Sequence, residues 1–167
     1  MLFRPGRNRA VPIYLQMKSN YQLIKITTPN HWQAYHDIRR KVLWENLGKT
    51  NYDDKHKDEY LQGNHPLLLL LNDVPIGTTR LDEFKESCGV ARLVAIADDV
   101  QKSGHGRKLC SLVEDYARNL GIKTLYVNAA PEALEFYKKL GWGFYEWDAE
   151  ELIGIAEDCQ QMRKILA

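Results

Sequence analysis

The sequence predicts one α/β domain: a mixed, mostly antiparallel sheet with helices on both faces. Three observations carry that reading. Residues 67–71, 76–84 and 89–96 are short apolar or alternating segments separated by Asn72-Asp73-Val74-Pro75 and Lys85-Glu86-Ser87, the pattern of an antiparallel meander. Leu109, Leu112, Val113, Tyr116, Ala117 and Leu120 then recur at steps of three and four, which makes one helix face apolar. Along the whole chain the segments read β-α-α-β-β-β-α-β-α-β-β, an order that calls for a mixed sheet covered on each side.

Taken in order, residues 21–27 set Leu23, Ile24 and Ile26 among polar positions and read as a short strand. Thr28-Pro29 supplies an N-cap followed by proline at the first helical position. Trp32, Tyr35, Ile38 and Val42 continue at helical spacing, so a first helix is expected to reach about Leu47, with Gly48 as its stop. Residues 53–61 are polar and read as a short helix or loop. The unbroken apolar run 67–71 needs cover on both faces and is a buried strand. After the meander, the amphipathic helix ends at Gly121 and residues 124–129 form a strand. Pro131 opens another helix with Ala133, Leu134, Tyr137 and Leu140 on one side and Gly141 past its end. Residues 142–147 and 160–165 are the last two expected strands.

At 167 residues the chain suits one domain that folds without disulfides. Its net charge of +1 gives no electrostatic argument for a nucleic-acid, membrane or acidic partner. Cys88, Cys110 and Cys159 are an odd, widely spaced set, unlike a disulfide framework or a zinc ribbon, so reduced thiols and a cytoplasmic location are expected. The apolar run 67–71 is too short to span a bilayer. Arg4, Arg7 and Arg9 are followed by no secretory apolar region, and Met17 begins a stretch that reads like a second start. Residues 1–16 are therefore read as an extension of unknown role and 17–167 as the domain.

Chemistry is expected at Gln101-Lys102-Ser103-Gly104-His105-Gly106-Arg107, between a strand and the start of the strong amphipathic helix. The first turn of a helix has N–H groups without internal partners and the positive end of the macrodipole, so a phosphate there meets donors already aimed at it. Two glycines let the backbone approach closely. Lys102, Arg107 and Lys108 add positive charge. Other phosphate motifs do not fit. The P-loop pattern is absent, and the dinucleotide fingerprint needs a small residue where Leu109 stands.

Arg92-Leu93-Val94-Ala95-Ile96, then Gln101-x-x-Gly104-x-Gly106, then Ala133-Leu134-Glu135-Phe136-Tyr137-Lys138-Lys139-Leu140-Gly141-Trp142 resembles the GNAT superfamily of N-acetyltransferases in order and spacing. The likeness is strongest over residues 90–142 and extends more loosely from Tyr21 to the C-terminus. It implies a GNAT-like acyl-CoA N-acyltransferase fold whose sheet is splayed between the fourth and fifth strands. It implies acetyl-CoA as co-substrate, an amine acceptor and no metal, and it leaves a homodimer open. By resemblance, the pantetheine arm enters the splay and pairs with main-chain groups of Ile96 and Ala97. Gln101, Lys102, Ser103, Gly104, His105, Gly106 and Arg107 wrap the pyrophosphate. A backbone N–H on the splayed strand polarises the thioester carbonyl. Tyr137 protonates the departing thiolate.

The sequence departs from the family pattern in three places. His105 stands where an apolar residue is common between the loop glycines. The asparagine often found seven residues before the tyrosine falls on Ala130, with Asn128 two positions earlier as a candidate replacement for donor binding. The fourth strand carries no glutamate base; only Asp98 and Asp99 stand at its end. Glu45, Asp53, Asp54, Asp58 and Glu59 gather before the second strand, where the acceptor site forms in this family, and Glu45 is the expected amine-attracting residue. His31, His36, His56 and His65 have no metal-ligand spacing. Cys110 and the aromatics Trp142, Phe144, Tyr145 and Trp147 read as packing residues. Two other readings share the fold: transfer from a different acyl-CoA, and a non-enzymatic CoA-binding regulatory module.

Overall fold

The computed structural model describes residues 19–167, so the extension read at 1–16 lies outside the described residues. Along the chain run β1 (Tyr21–Lys25), α1 (Pro29–Arg39), β2 (Asn64–Leu71), β3 (Val74–Glu83), β4 (Cys88–Ile96), α2 (His105–Asn119), β5 (Thr124–Ala129), α3 (Leu134–Lys139), β6 (Gly143–Phe144) and β7 (Gln160–Ile165). The seven strands form one sheet in the order β1-β2-β3-β4-β5-β7-β6. Only β4 and β5 pair in parallel; the other neighbours are antiparallel.

The apolar run in β2 is buried on both faces because strand periodicity sends its leucines alternately to two layers. Leu67 and Leu69 join the core under α2, with Leu81, Leu109 and Val113. Leu68 and Leu70 pack with Ile26 and Tyr35 under α1. Each fully buried leucine side chain contributes about 1.5–3 kcal/mol of transfer free energy. No helix of the described residues is long and apolar enough to cross a membrane.

Two elements differ from the sequence expectation. The first helix begins as predicted, with Thr28 Oγ1 accepting the His31 N–H at 3.3 Å. It does not reach Leu47 in one form, because Arg40–Trp44 is π-helical and Glu45–Leu47 a 3₁₀ turn before Gly48 at φ 70°. Residues 53–61, expected as a short helix or loop, hold a 3₁₀ turn at Lys57–Tyr60, since they offer no apolar stripe to bury. Finally, the strand expected over 142–147 shrinks to Gly143–Phe144. Beyond it the Gln161 side chain replaces the ladder: its Oε1 accepts the Trp147 and Asp148 N–H groups at 2.9 Å each, and its Nε2 donates to Asp148 O at 2.6 Å.

The splay has a local cause. Strands β4 and β5 pair only from Cys88↔Thr124 to Ala91↔Val127. Just past that point Leu93 adopts φ 55°, and the β3–β4 register jumps between Thr78 and Arg80. A bulge bends its strand, and here it turns β4 away from β5. Thr79 Oγ1 donates to Arg92 O at 2.9 Å and holds the bulge against β3.

Candidate active site

The donor end is built from one stretch of chain. Ala97 N–H donates to Ile76 O at 2.9 Å, so by strand alternation the main-chain groups of Ile96 face the gap left by β5. The Ile96 carbonyl accepts Gln101 Nε2 at 2.9 Å. Gln101 thereby ties the loop to the strand. Gly104, at φ 80°, is the N-cap of α2 and offers no side-chain cap, so the first N–H groups of this helix have no side-chain acceptor. A Cβ on Gly104 would meet nothing within 4 Å. This is a cradle whose open side is backbone, and it fits a pyrophosphate. A Cβ on Gly106 would lie 3.4 Å from Phe136 Cζ, so that glycine also lets α2 approach α3.

Two predicted donor residues behave differently from the simplest expectation. The His105 side chain is buried, with Nδ1 2.8 Å from Tyr21 Oη; only its amide is left for the loop. The Ala97 amide is already taken by β3, leaving Ile96 as the residue of the two whose N–H faces the gap. Lys102, Ser103 and Arg107 are exposed around the cradle, with Lys102 at φ 63°. Asn128 lines the neighbouring cavity, and its Oδ1 accepts Gln161 Nε2 at 3.0 Å.

That cavity, about 500 Å³, runs through the splay. Val127, Ala133 and Tyr137 line it on the α3 side, and Arg92, Asp58 and Glu151 on the α1 side. Leu47, Ile153 and Ile155 stand among its walls. Tyr137 is almost wholly buried, and burial, reinforced by the charges Cys110 and Cys159 would carry, pushes its phenol well above the ordinary tyrosine range. The ring packs edge-on against Phe136 and Trp142, with centroids at 5.3 and 5.4 Å. Tyr137 is thus fixed in position and protonated. A second cavity of about 560 Å³ adjoins the first, sharing His56, Asp58, Leu93 and Ile155 with it.

The floor of the acceptor side is a chain of alternating charges that sequence reading missed. Glu59 binds Tyr35 Oη, Arg39 and Arg80; Arg80 binds Asp82 through two nitrogens; Arg92 joins Asp82 to a two-point contact with Glu151 at 2.8 and 2.9 Å. Burial raises the Glu59 carboxyl, but Arg39 and Arg80 outweigh it and leave the group below its usual range. The signal was present in the period of β3: Thr78, Arg80 and Asp82 share a face, with Arg92 opposite Arg80. An alternating polar face ordinarily faces solvent; here α1 and the 57–60 turn cover it.

Other expectations are redistributed. Glu45 is exposed, pairs with Lys41 at 3.8 Å and lines neither cavity. Of the acidic group, Glu59 is structural and Asp58 is the member that reaches the main cavity. Asp98 holds Asn46 through both oxygens at 2.9 Å, bracing the end of the first helix rather than facing the cavity. Cys110 is half-buried, and burial pushes its thiol up to about 12. Trp142 and Trp147 are core, whereas Phe144 and Tyr145 are exposed.

A splayed parallel pair, a cavity with a buried tyrosine and an uncapped helix start are the features that the resemblance to acyl-CoA-dependent N-acyltransferases implies. Residues 21–142 match the model of the acetyltransferase (GNAT) family, and the chain belongs to that family. A protein of Bacillus subtilis (strain 168) named as an acetyltransferase is 26% identical over 119 residues, covering 71% of this chain and 80% of that protein. Among solved structures, a GNAT-family acetyltransferase from Staphylococcus aureus Mu50 superposes with a TM-score of 0.72 at 14% identity, covering 89% of this chain and 100% of the other. Escherichia coli ElaA does so with 0.69 at 17%, covering 88% and 99%. N-Acetylglutamate synthase from Neisseria gonorrhoeae, solved with coenzyme A and N-acetyl-glutamate, gives 0.68 at 16%, covering 90% of this chain and 36% of that one. At these identities the structural likeness is one of fold.

Proposed function

We propose that the protein transfers an acetyl group from acetyl-CoA to a primary amine by direct attack in a ternary complex. The observation that carries this reading is the splay: β4 and β5 part after Ala91↔Val127, and the cavity there is lined by Leu93, Val94, Asn128 and Tyr137, with the uncapped start of α2 following β4 along the chain. The pyrophosphate rests on the amides of residues 103–107, with Gln101 ordering the turn and Lys102 and Arg107 supplying charge. The pantetheine arm follows the free edge of β4 at Ile96, with Asn128 across the gap. Reduced Cys88, Cys110 and Cys159 support a cytoplasmic setting.

The acceptor enters as an ammonium ion, since an aliphatic amine has a pKa of about 10.4. It loses one proton before attack. The nitrogen lone pair then forms the C–N bond, and the carbonyl π pair moves onto oxygen, where an N–H on the bulged part of β4 stabilises it. When the carbonyl re-forms, the C–S bond breaks and the sulfur leaves with its electron pair. Tyr137 hydrogen-bonds that sulfur and passes it a proton, recovering its own from the nitrogen. The balance is ammonium plus thioester giving amide, thiol and one proton to solvent. Because burial raises the Tyr137 phenol, it stays a donor at every pH where the amine can react. Incubation with acetyl-CoA and a panel of amines, followed by mass spectrometry of the amide and assay of free CoA, tests this. CoA binding by calorimetry without any acetylated amine would sink the transfer reading while sparing the donor site.

A further inference from the structure

The lining of the main cavity is of two kinds. Its charged lining is Asp58, Arg92, Glu132 and Glu151, with His56 beside them. Arg92 is used up by Asp82 and Glu151, and Glu151 by Arg92. Asp58 stands 3.6 Å from His56 and 3.9 Å from Arg80. Glu132, exposed in the 3₁₀ turn Pro131–Ala133 that precedes α3, has no hydrogen-bond or ion-pair partner among the described residues. Its charge acts on the Cys159 thiol, which also lines the cavity and acts in turn on Tyr137. The aliphatic part of the lining is the opposite in character. Leu47, Ile155 and Ile153 border the cavity while 54%, 39% and 72% exposed, large aliphatic groups left in water. Such a patch marks a binding surface.

We infer that the acceptor is a small primary amine on an apolar body, an aralkylamine or branched alkylamine, with its ammonium drawn to Glu132 and its hydrocarbon against Leu47, Ile153 and Ile155. This rests on the transfer reading and narrows it. A polyamine would set further cations against an aliphatic lining. An α-amino acid would need a cation for its carboxylate, and the lining guanidinium of Arg92 is spent; Lys49 lies in the adjoining cavity. A cavity of about 500 Å³ that must also take the donor's acetyl end suits a small molecule better than a peptide.

The test is kcat/KM with acetyl-CoA for phenethylamine and isoamylamine against spermidine, leucine and a free-N-terminal tripeptide. The apolar amines should lead by about tenfold or more, the scale on which apolar pocket contacts discriminate. Ile153→Asn, at an exposed position, should lower kcat/KM for the apolar amines by about tenfold while leaving the KM of acetyl-CoA unchanged. Glu132→Gln should raise the amine KM and leave CoA affinity as it was. Acetylation that favours spermidine, leucine or the tripeptide overturns this inference and leaves the transfer reading standing. Equal turnover of all classes, or an Ile153→Asn enzyme unchanged toward phenethylamine, overturns it as well. No acetylated product from any amine removes both.

Discussion

The donor end and the acceptor end of this protein are built by opposite strategies. The proposed CoA cradle comes from consecutive residues, 101–107, and uses backbone: helix N–H groups, a glycine at positive φ and a strand edge. The acceptor cavity takes side chains from Leu43 to Cys159 and rests on a charge chain that ties α1, β3, β4 and the segment after β6 together. A ligand whose chemistry never changes can be met by peptide groups, which every sequence supplies. Recognition of a particular amine requires particular side chains, and those can be exchanged without disturbing the cradle.

The largest expected effect falls where the two ends meet. Tyr137→Phe keeps the ring packed on Phe136 and Trp142 but removes the donor, and kcat should fall by about 10²–10⁴-fold with the KM of acetyl-CoA little changed. A variant retaining most of its kcat, measured where chemistry limits turnover, would assign Tyr137 to packing. In the parent enzyme, kcat should not decline between pH 7 and about 10, since the buried phenol keeps its proton above the ordinary tyrosine pKa. A falling limb in that range would contradict the assignment.

Next comes the acceptor floor. Glu59→Gln leaves Arg39 without its carboxylate in a dry site, and breaking a buried pair this way costs about 3–5 kcal/mol, measurable by urea unfolding. The sign with pH follows from the lowered carboxyl. The Glu59 contribution is fully present above the unfolded pKa of about 4.3 and is lost as pH falls through the lower folded value. Parent and variant should therefore differ most near neutrality and converge in acid. A constant difference from pH 7 to below pH 3 would count against ionic stabilisation.

A smaller change is expected at the cradle. Gly104→Val places a β-branched residue at φ 80° on the open side of the loop, and calorimetry should show CoA affinity reduced about tenfold or more in a folded protein. Gly106→Val is less clean, because its side chain would also press on Phe136. Unchanged CoA affinity in folded Gly104→Val would move the pyrophosphate elsewhere. The smallest effect is expected for Glu45→Gln. This exposed residue lines neither cavity, so the KM for the amine should stay within about twofold, in keeping with the small worth of surface charge pairs. A selective rise in amine KM would restore Glu45 to the acceptor site and blur the contrast between the two ends.

How much could be read in advance follows the same division. Strands 124–129 and 160–165 were legible to the residue, as was the start of α1 at Thr28-Pro29, because alternation, caps and prolines act locally. The loop at 101–107 was legible for that reason too. The strand expected at 142–147 was not, because a single side chain, Gln161, outcompetes the ladder after Phe144. Glu45 was singled out by its place near a helix end, a position that says nothing about what the chain beyond it turns toward.

By itself, then, the sequence determined the order of the elements, the family and the backbone cradle, all consequences of interactions within a few residues of one another. Only the tertiary structure decided that Arg80 and Asp82 are buried and joined with Arg92 in one charge chain, that His105 turns inward to Tyr21, and that Glu132, Tyr137 and Ile153 share one cavity. These depend on which face a strand shows to a helix some forty residues away, and on a single residue at φ 55° that parts two strands. Propensity carries no record of either, because the free energy that selects them lies in contacts formed after the chain has closed on itself.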